Sequence, residues 1–192
     1  MNSRPRSTPY AVLGMLSLAP MSGYDIRKES ESSTGYFWSE SFGQIYPALK
    51  ELESAGLIRR HAGRAAGGRD RHVYEITDKG RRALARWREE PPRPITVRNE
   101  LLLKLFFGRR DTPAGELEWI EHLRTEQIAA LREFKRIRQE LMKERRDHPS
   151  LPFWLMTVSY GEHHARSLLR WCRETRMSLL ALKGAARKES AP

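Results

Sequence analysis

Apolar residues recur at helical spacing along most of the chain, and the breaks in that rhythm mark its turns. Thr8-Pro9 reads as a helix start, with Val12, Leu13 and Leu16 as the buried stripe and Pro20 as the stop. Ser22-Gly23-Tyr24-Asp25 has capping-box spacing and predicts a second short helix to about Ser30. A third helix is expected from Ser41 to Ala55, with Ile45, Ala48, Leu49 and Leu52 on one face and Gly56 as a left-handed cap. Pro47 requires that this helix begin near Gly43 or be distorted. The period then changes: Leu57–His61 and Arg71–Ile76 flank the glycine-rich AGRAAGG, which predicts a β-hairpin. Thr77 caps a further helix to about Glu89, buried through Ala83, Leu84 and Trp87.

Pro91, Pro92 and Pro94 make an extended break, so two domains are expected, 1–90 and 97–182, followed by a polar tail. Everything after the break reads as helix. Arg98–Phe107 is short, with Leu101, Leu102, Leu105 and Phe106 expected inward. Pro113–Arg146 is long and amphipathic, about 50 Å at 1.5 Å per residue, more than so small a domain is expected to cover alone. The last helix carries Trp154, Val158, Gly161, Ala165, Leu168, Cys172, Thr175 and Leu179 at alternating spacings of four and three. That heptad-like seam, with small residues at its centre, predicts pairing between two copies of the chain. The expected fold is mainly α with a small β-hairpin: a winged helix-turn-helix followed by a helical dimerisation domain.

Charge narrows the partners. In 192 residues, Lys and Arg number 35 against 24 Asp and Glu, a formal charge of +11. Such a chain is drawn to polyanions, either nucleic acid or an acidic membrane surface. No apolar run approaches the roughly 18 residues of a membrane span. The first twenty residues superficially suggest a signal peptide, but Gly14 and Ser17 interrupt the apolar stretch, which runs into a polar turn. A cytoplasmic protein with no membrane partner is expected. Cys172 is the only cysteine, which excludes an internal disulfide and a cysteine-rich metal site.

Short motifs are more specific than this outline. Gly43-Gln44-Ile45-Tyr46-Pro47-Ala48-Leu49-Lys50-Glu51-Leu52-Glu53, followed by Ala55-Gly56-Leu57-Ile58, resembles the recognition-helix signature of the PadR family of bacterial transcriptional regulators. Ser22-Gly23-Tyr24-Asp25-Ile26 resembles its second helix, and the run from Gly68 to Gly80 resembles its wing. Asp70 stands where the family usually has proline, and Val73 where it has tyrosine; the former brings a carboxylate close to the phosphates. Arg98–Phe107 opens a half similar to the family's longer helical C-terminal domain. The resemblance implies a regulator whose DNA affinity is relieved by a small aromatic or drug-like effector, through a shift between dimer states.

The residues support DNA binding on their own chemistry. With Phe42, Ile45, Leu49 and Leu52 inward, Ser41, Gln44, Tyr46 and Lys50 are left near the outer face and N-terminal end of the third helix. Those positions reach base edges in a recognition helix; Gln44 can bond adenine bidentately, and Tyr46 and Lys50 suit phosphate. Arg59, Arg60, Arg64, Arg69 and Arg71 crowd thirteen positions against one acid, Asp70, and Arg69 and Arg71 are expected on phosphate or in the minor groove. Trp154, Val158, Gly161, Ala165, Leu168 and Cys172 are the expected dimer contacts, and Trp154 also the candidate effector contact.

Catalytic chemistry is thin. His163 and His164 are adjacent, so on a helix they diverge by about 100° and form no zinc-binding pair. There is no glycine-rich phosphate loop, and Cys172 sits on an apolar face. No catalytic residue, metal or cofactor is expected. The reading is a sequence-specific, homodimeric repressor acting on a double-stranded operator. Its rival is a winged-helix RNA-binding or ribosome-associated protein, disfavoured because a dimer seam matches palindromic duplex DNA better than single-stranded RNA. A winged helix used only for protein contacts would show an apolar patch in place of the basic wing.

Overall fold

The computed structural model describes residues 7–38, 42–64, 70–95, 97–108 and 114–189, with backbone alone for 42, 62–64, 70, 71, 114 and 185–189. It forms two compact units, 1–94 and 95–192.

In the first unit α1 (Ser7–Leu18) is followed by a two-residue strand, β1 (Met21–Ser22), and then α2 (Gly23–Ser33) and α3 (Phe42–Ser54). β2 (Ile58–Arg64) and β3 (Asp70–Ile76) form the hairpin, and α4 (Asp78–Glu89) closes the unit. The sheet order is β1-β3-β2, all antiparallel. β1 is too short to show a period-two pattern, and it adds a third strand to the expected hairpin. α2 runs three residues beyond the expected Ser30. The capping box forms: Ser22 Oγ accepts from the Asp25 amide at 3.2 Å, and the Ser22 amide donates to Asp25 Oδ2 at 3.1 Å.

α3 continues through Pro47 and ends in a Schellman motif. Gly56 takes φ +68°, Leu57 N–H donates to the Leu52 carbonyl, and Gly56 N–H to that of Glu53, both at 2.9 Å. Lys79 Nζ adds a bond to the Ala55 carbonyl at 2.8 Å. The core joins Val12, Leu13 and Leu16 to Ile26, Ile45, Leu49, Leu52, Ile58 and Ile76. Trp87 stacks on Tyr10 with ring centroids 5.0 Å apart. This packing buries one stripe of α3 and leaves the other to solvent.

The second unit is α5 (Glu100–Phe106), α6 (Ala114–Glu144) and α7 (Leu151–Glu189). Only Leu101 and Leu105 of α5 pack on the core of Ile120, Cys172 and Leu179. Leu102 and Phe106, expected inward, are exposed, Phe106 at 81%, because a seven-residue helix turns only one i, i+4 pair toward that core.

α6 and α7 form an antiparallel hairpin, and much of the seam is covered within the single chain. Val158, Ala165 and Cys172 are at most 1% exposed within the single chain, and Leu168 and Trp154 are partly buried. A Cβ on Gly161 would overlap the Phe134 ring of α6, so the small residue admits an aromatic from the same chain. α7, at 39 residues, is long enough to cover the 31 of α6, so the long helix needs no second copy along this face. Side chains already out of water gain no further burial from a partner.

Candidate nucleic-acid interface

The outward face of α3 follows from the buried one. Ile45, Ala48, Leu49 and Leu52 fill the i, i+3, i+4, i+7 stripe, which leaves Gln44 on one flank and Tyr46 and Lys50 on the other, all exposed. Ser41 and Arg69 lie outside the described residues, as does the side chain of Arg71. Tyr46 is 51% exposed, yet its ring lies against the backbone at Gly23: a Cβ there would be 3.0 Å from Cε1 and Cζ. Tyr24, on the first turn of α2, is also exposed and was not among the expected contacts.

The base of the wing is less basic than its sequence suggests. Register pairs Arg59 with Glu75, whose Oε2 accepts from Arg59 Nε at 3.1 Å and Nη2 at 2.9 Å. His61 Nε2 is 3.2 Å from the same oxygen. The Arg59 hydrogen bond holds the Glu75 carboxyl below the usual carboxylate range, against the small cost of removing it from water. Arg60 Nε meets Glu53 Oε1 of α3 at 3.4 Å. Both acids lie outside the thirteen-residue window that had only Asp70. Burial pushes the Tyr74 phenol up, Glu53 and Tyr46 push the same way, and Arg60 opposes them. Strand register also pairs Arg60 with Tyr74, so Glu53, Arg60 and Tyr74 form one group where the helix meets the wing.

In the second unit, Trp154 stacks on His148 with centroids 4.4 Å apart, and His148 Nδ1 accepts from the Ser150 amide at 3.1 Å. Its position at the α6–α7 turn explains why Trp154 is only partly buried. His163 and His164 are exposed, His164 stacking on Tyr160. Burial raises the pKa of the Cys172 thiol, which makes it a poorer nucleophile. Among the described residues no group of three or more His, Cys, Asp or Glu side chains is placed to hold a metal, and no helix is long and apolar enough to cross a membrane.

Residues 12–86 match the model of the transcriptional regulator PadR-like family, and residues 97–179 match the virulence activator alpha C-terminal model. The negative transcriptional regulator PadR of Bacillus subtilis is 37% identical over 103 residues, 53% of this chain and 57% of that protein. The chain therefore spans little more than half of that curated relative. Solved structures extend the likeness along the chain. B. subtilis PadR in complex with operator DNA has a TM-score of 0.77 at 25% identity, covering 91% of this chain and 99% of that one. The same protein with p-coumaric acid gives 0.71 at 26%, with 91% and 99% covered. The Vibrio cholerae virulence activator AphA gives 0.70 at 25%, with 92% and 99% covered.

Proposed function

The chain belongs to the PadR-like family of transcriptional regulators, and from that premise we propose that it is a homodimeric, sequence-specific DNA-binding repressor released by a small aromatic effector. The observation that carries the reading is that Gln44, Tyr46 and Lys50 of α3 are all exposed, in a chain resembling an operator-bound regulator over nine-tenths of its length. Gln44 reads a base edge; Tyr46 and Lys50 fix register on the phosphates. Arg69 and Arg71 add sequence-independent charge, and Ser41 a hydroxyl. No reaction is assigned to the protein, and as a regulator of transcription it works in the cytoplasm.

An aromatic acid is the effector class suggested by the p-coumaric acid complex of PadR, with Trp154 a candidate contact. The repressor polarity follows the negative regulator; the C-terminal match to an activator family supports the opposite polarity with the same DNA chemistry. Polarity depends on where the site lies relative to a promoter. A second copy would dock on apolar side chains that the chain leaves bare: Leu102, Leu103, Phe106 and Phe107 around α5, and Phe153, Met156 and Tyr160 along α7.

Sequencing genomic fragments that co-purify with the protein supplies the duplex. Fluorescence anisotropy then compares that duplex, a scrambled one and a structured RNA. Preference for the cognate duplex supports the reading, whereas equal or better competition by the RNA overturns it. Transcription from the enriched promoter, with and without the protein, gives the polarity.

A further inference from the structure

Gly23 is the first residue of α2, immediately after the N-cap Ser22. Glycine weakens helices, and the ordinary reason to accept it is a positive φ. Gly23 has no such reason: among the described residues Gly56 alone has φ in that range. What it has is a neighbour. A Cβ at this position would stand 3.0 Å from Cε1 and Cζ of Tyr46 and 3.2 Å from its hydroxyl, closer than side chains normally pack.

The slot is held from both sides. β1 pairs Met21 with Tyr74 and Ser22 with Val73, which ties the start of α2 to the wing. The capping box fixes the first turn of α2, with Ser22 Oγ also donating to Asp25 Oδ2 at 2.6 Å. Gly23 itself is buried, although the ring lying over it is half exposed. Tyr46 thus lies across the seam between the recognition helix and the start of the helix before it, which β1 ties to the wing.

We infer that Gly23 is a positioning residue for DNA binding, its missing side chain being the slot that seats the Tyr46 ring and aims its phenol at the DNA backbone. The inference rests on the proposed reading of Tyr46 as a phosphate contact. The atoms in the way belong to the far end of a side chain, so alanine at 23 displaces the ring and leaves the fold intact. It also improves the first turn of α2. Stability and DNA affinity are thus driven in opposite directions, which a residue with a purely structural role would not do.

The test is anisotropy on the co-purified duplex and its scrambled counterpart, with melting followed by circular dichroism, for Gly23→Ala, Tyr46→Ala and the double variant. Gly23→Ala should weaken both duplexes by about threefold to tenfold, because a phosphate contact carries no sequence information, while the melting temperature is unchanged or higher. On the Tyr46→Ala background it should cost nothing more. Should Gly23→Ala melt lower, Tyr46→Ala must restore it, and failure to do so overturns the inference. A weakened Tyr46→Ala beside a Gly23→Ala of wild-type affinity overturns the positioning role and leaves the Tyr46 contact standing. Tyr46→Ala at wild-type affinity overturns the contact and the inference with it.

Discussion

At the residue scale, the same positive charge means different things at different points of the wing. Arg59 and Arg60 each face an acid, so the charge left for DNA at the base is smaller than the count of arginines. Glu75→Gln should therefore tighten binding to scrambled and cognate duplexes alike. Its cost in stability at neutral pH should be small, because the pair is exposed. The Glu75 carboxylate is held below its ordinary value, so the pair favours the fold above the usual carboxylate range and is lost as pH falls through the depressed value. An unchanged affinity for scrambled DNA would mean that Arg59 does not reach the phosphates. Gln44→Ala should lose roughly 1–3 kcal/mol on the cognate duplex and little on the scrambled one. Changing Arg69 and Arg71 together to alanine should weaken both, and should flatten log affinity against log salt by about 0.9 for each phosphate the wing no longer neutralises. A salt series on the two duplexes separates these outcomes.

At the element scale, glycines inside helices divide by what lies opposite. A Cβ on Gly14 of α1 meets nothing within 4 Å, whereas one on Gly161 of α7 overlaps the Phe134 ring. Gly14→Ala should stabilise by about 0.5–1 kcal/mol and Gly161→Ala should destabilise by about 1–3 kcal/mol. Denaturant midpoints check the pair; a neutral Gly161→Ala would mean that the helices separate easily there. Glu162 joins α7 to α6 by accepting from Arg138 Nε at 3.0 Å, with Arg166 at 3.3 Å. The Arg138 hydrogen bond depresses its carboxyl most. The pair should thus stabilise the hairpin above pH 4.5 and fade as pH falls below that value through the depressed one. Glu162→Gln should melt lower than wild type at neutral pH, by up to about 1 kcal/mol since both arginines are partly in water. The gap should close in acid, and a gap independent of pH would assign the loss to packing.

At the scale of the whole molecule, truncation after residue 95 should leave a folded, monomeric first unit that binds a full operator far more weakly, as two half-sites no longer act through one dimer. Leu103→Glu with Phe106→Glu should lower the mass seen by light scattering. Ala165→Glu should instead unfold the hairpin, since its side chain is buried within the chain. A truncated protein that stays a tight dimer would move the interface to the first unit. Most of the fold was legible in the chain itself. The Ser22 and Thr77 caps, the left-handed Gly56 and the stripes of α1 and α3 rest on contacts between residues no more than about four apart, and spacing alone specifies those. The motifs around Gln44 and Gly68 carried the family resemblance. A four-three repeat, however, states only that a helix face needs an apolar cover, and the tertiary structure supplied α6 where a second copy was expected. Strand register neutralised Arg59, because it brings together residues sixteen apart, as in Arg59 and Glu75, and the packing of α3 on β2 did the same for Arg60. The reason for a glycine at 23 was equally invisible, since the ring that needs its space is held there by elements that meet only when the chain is folded.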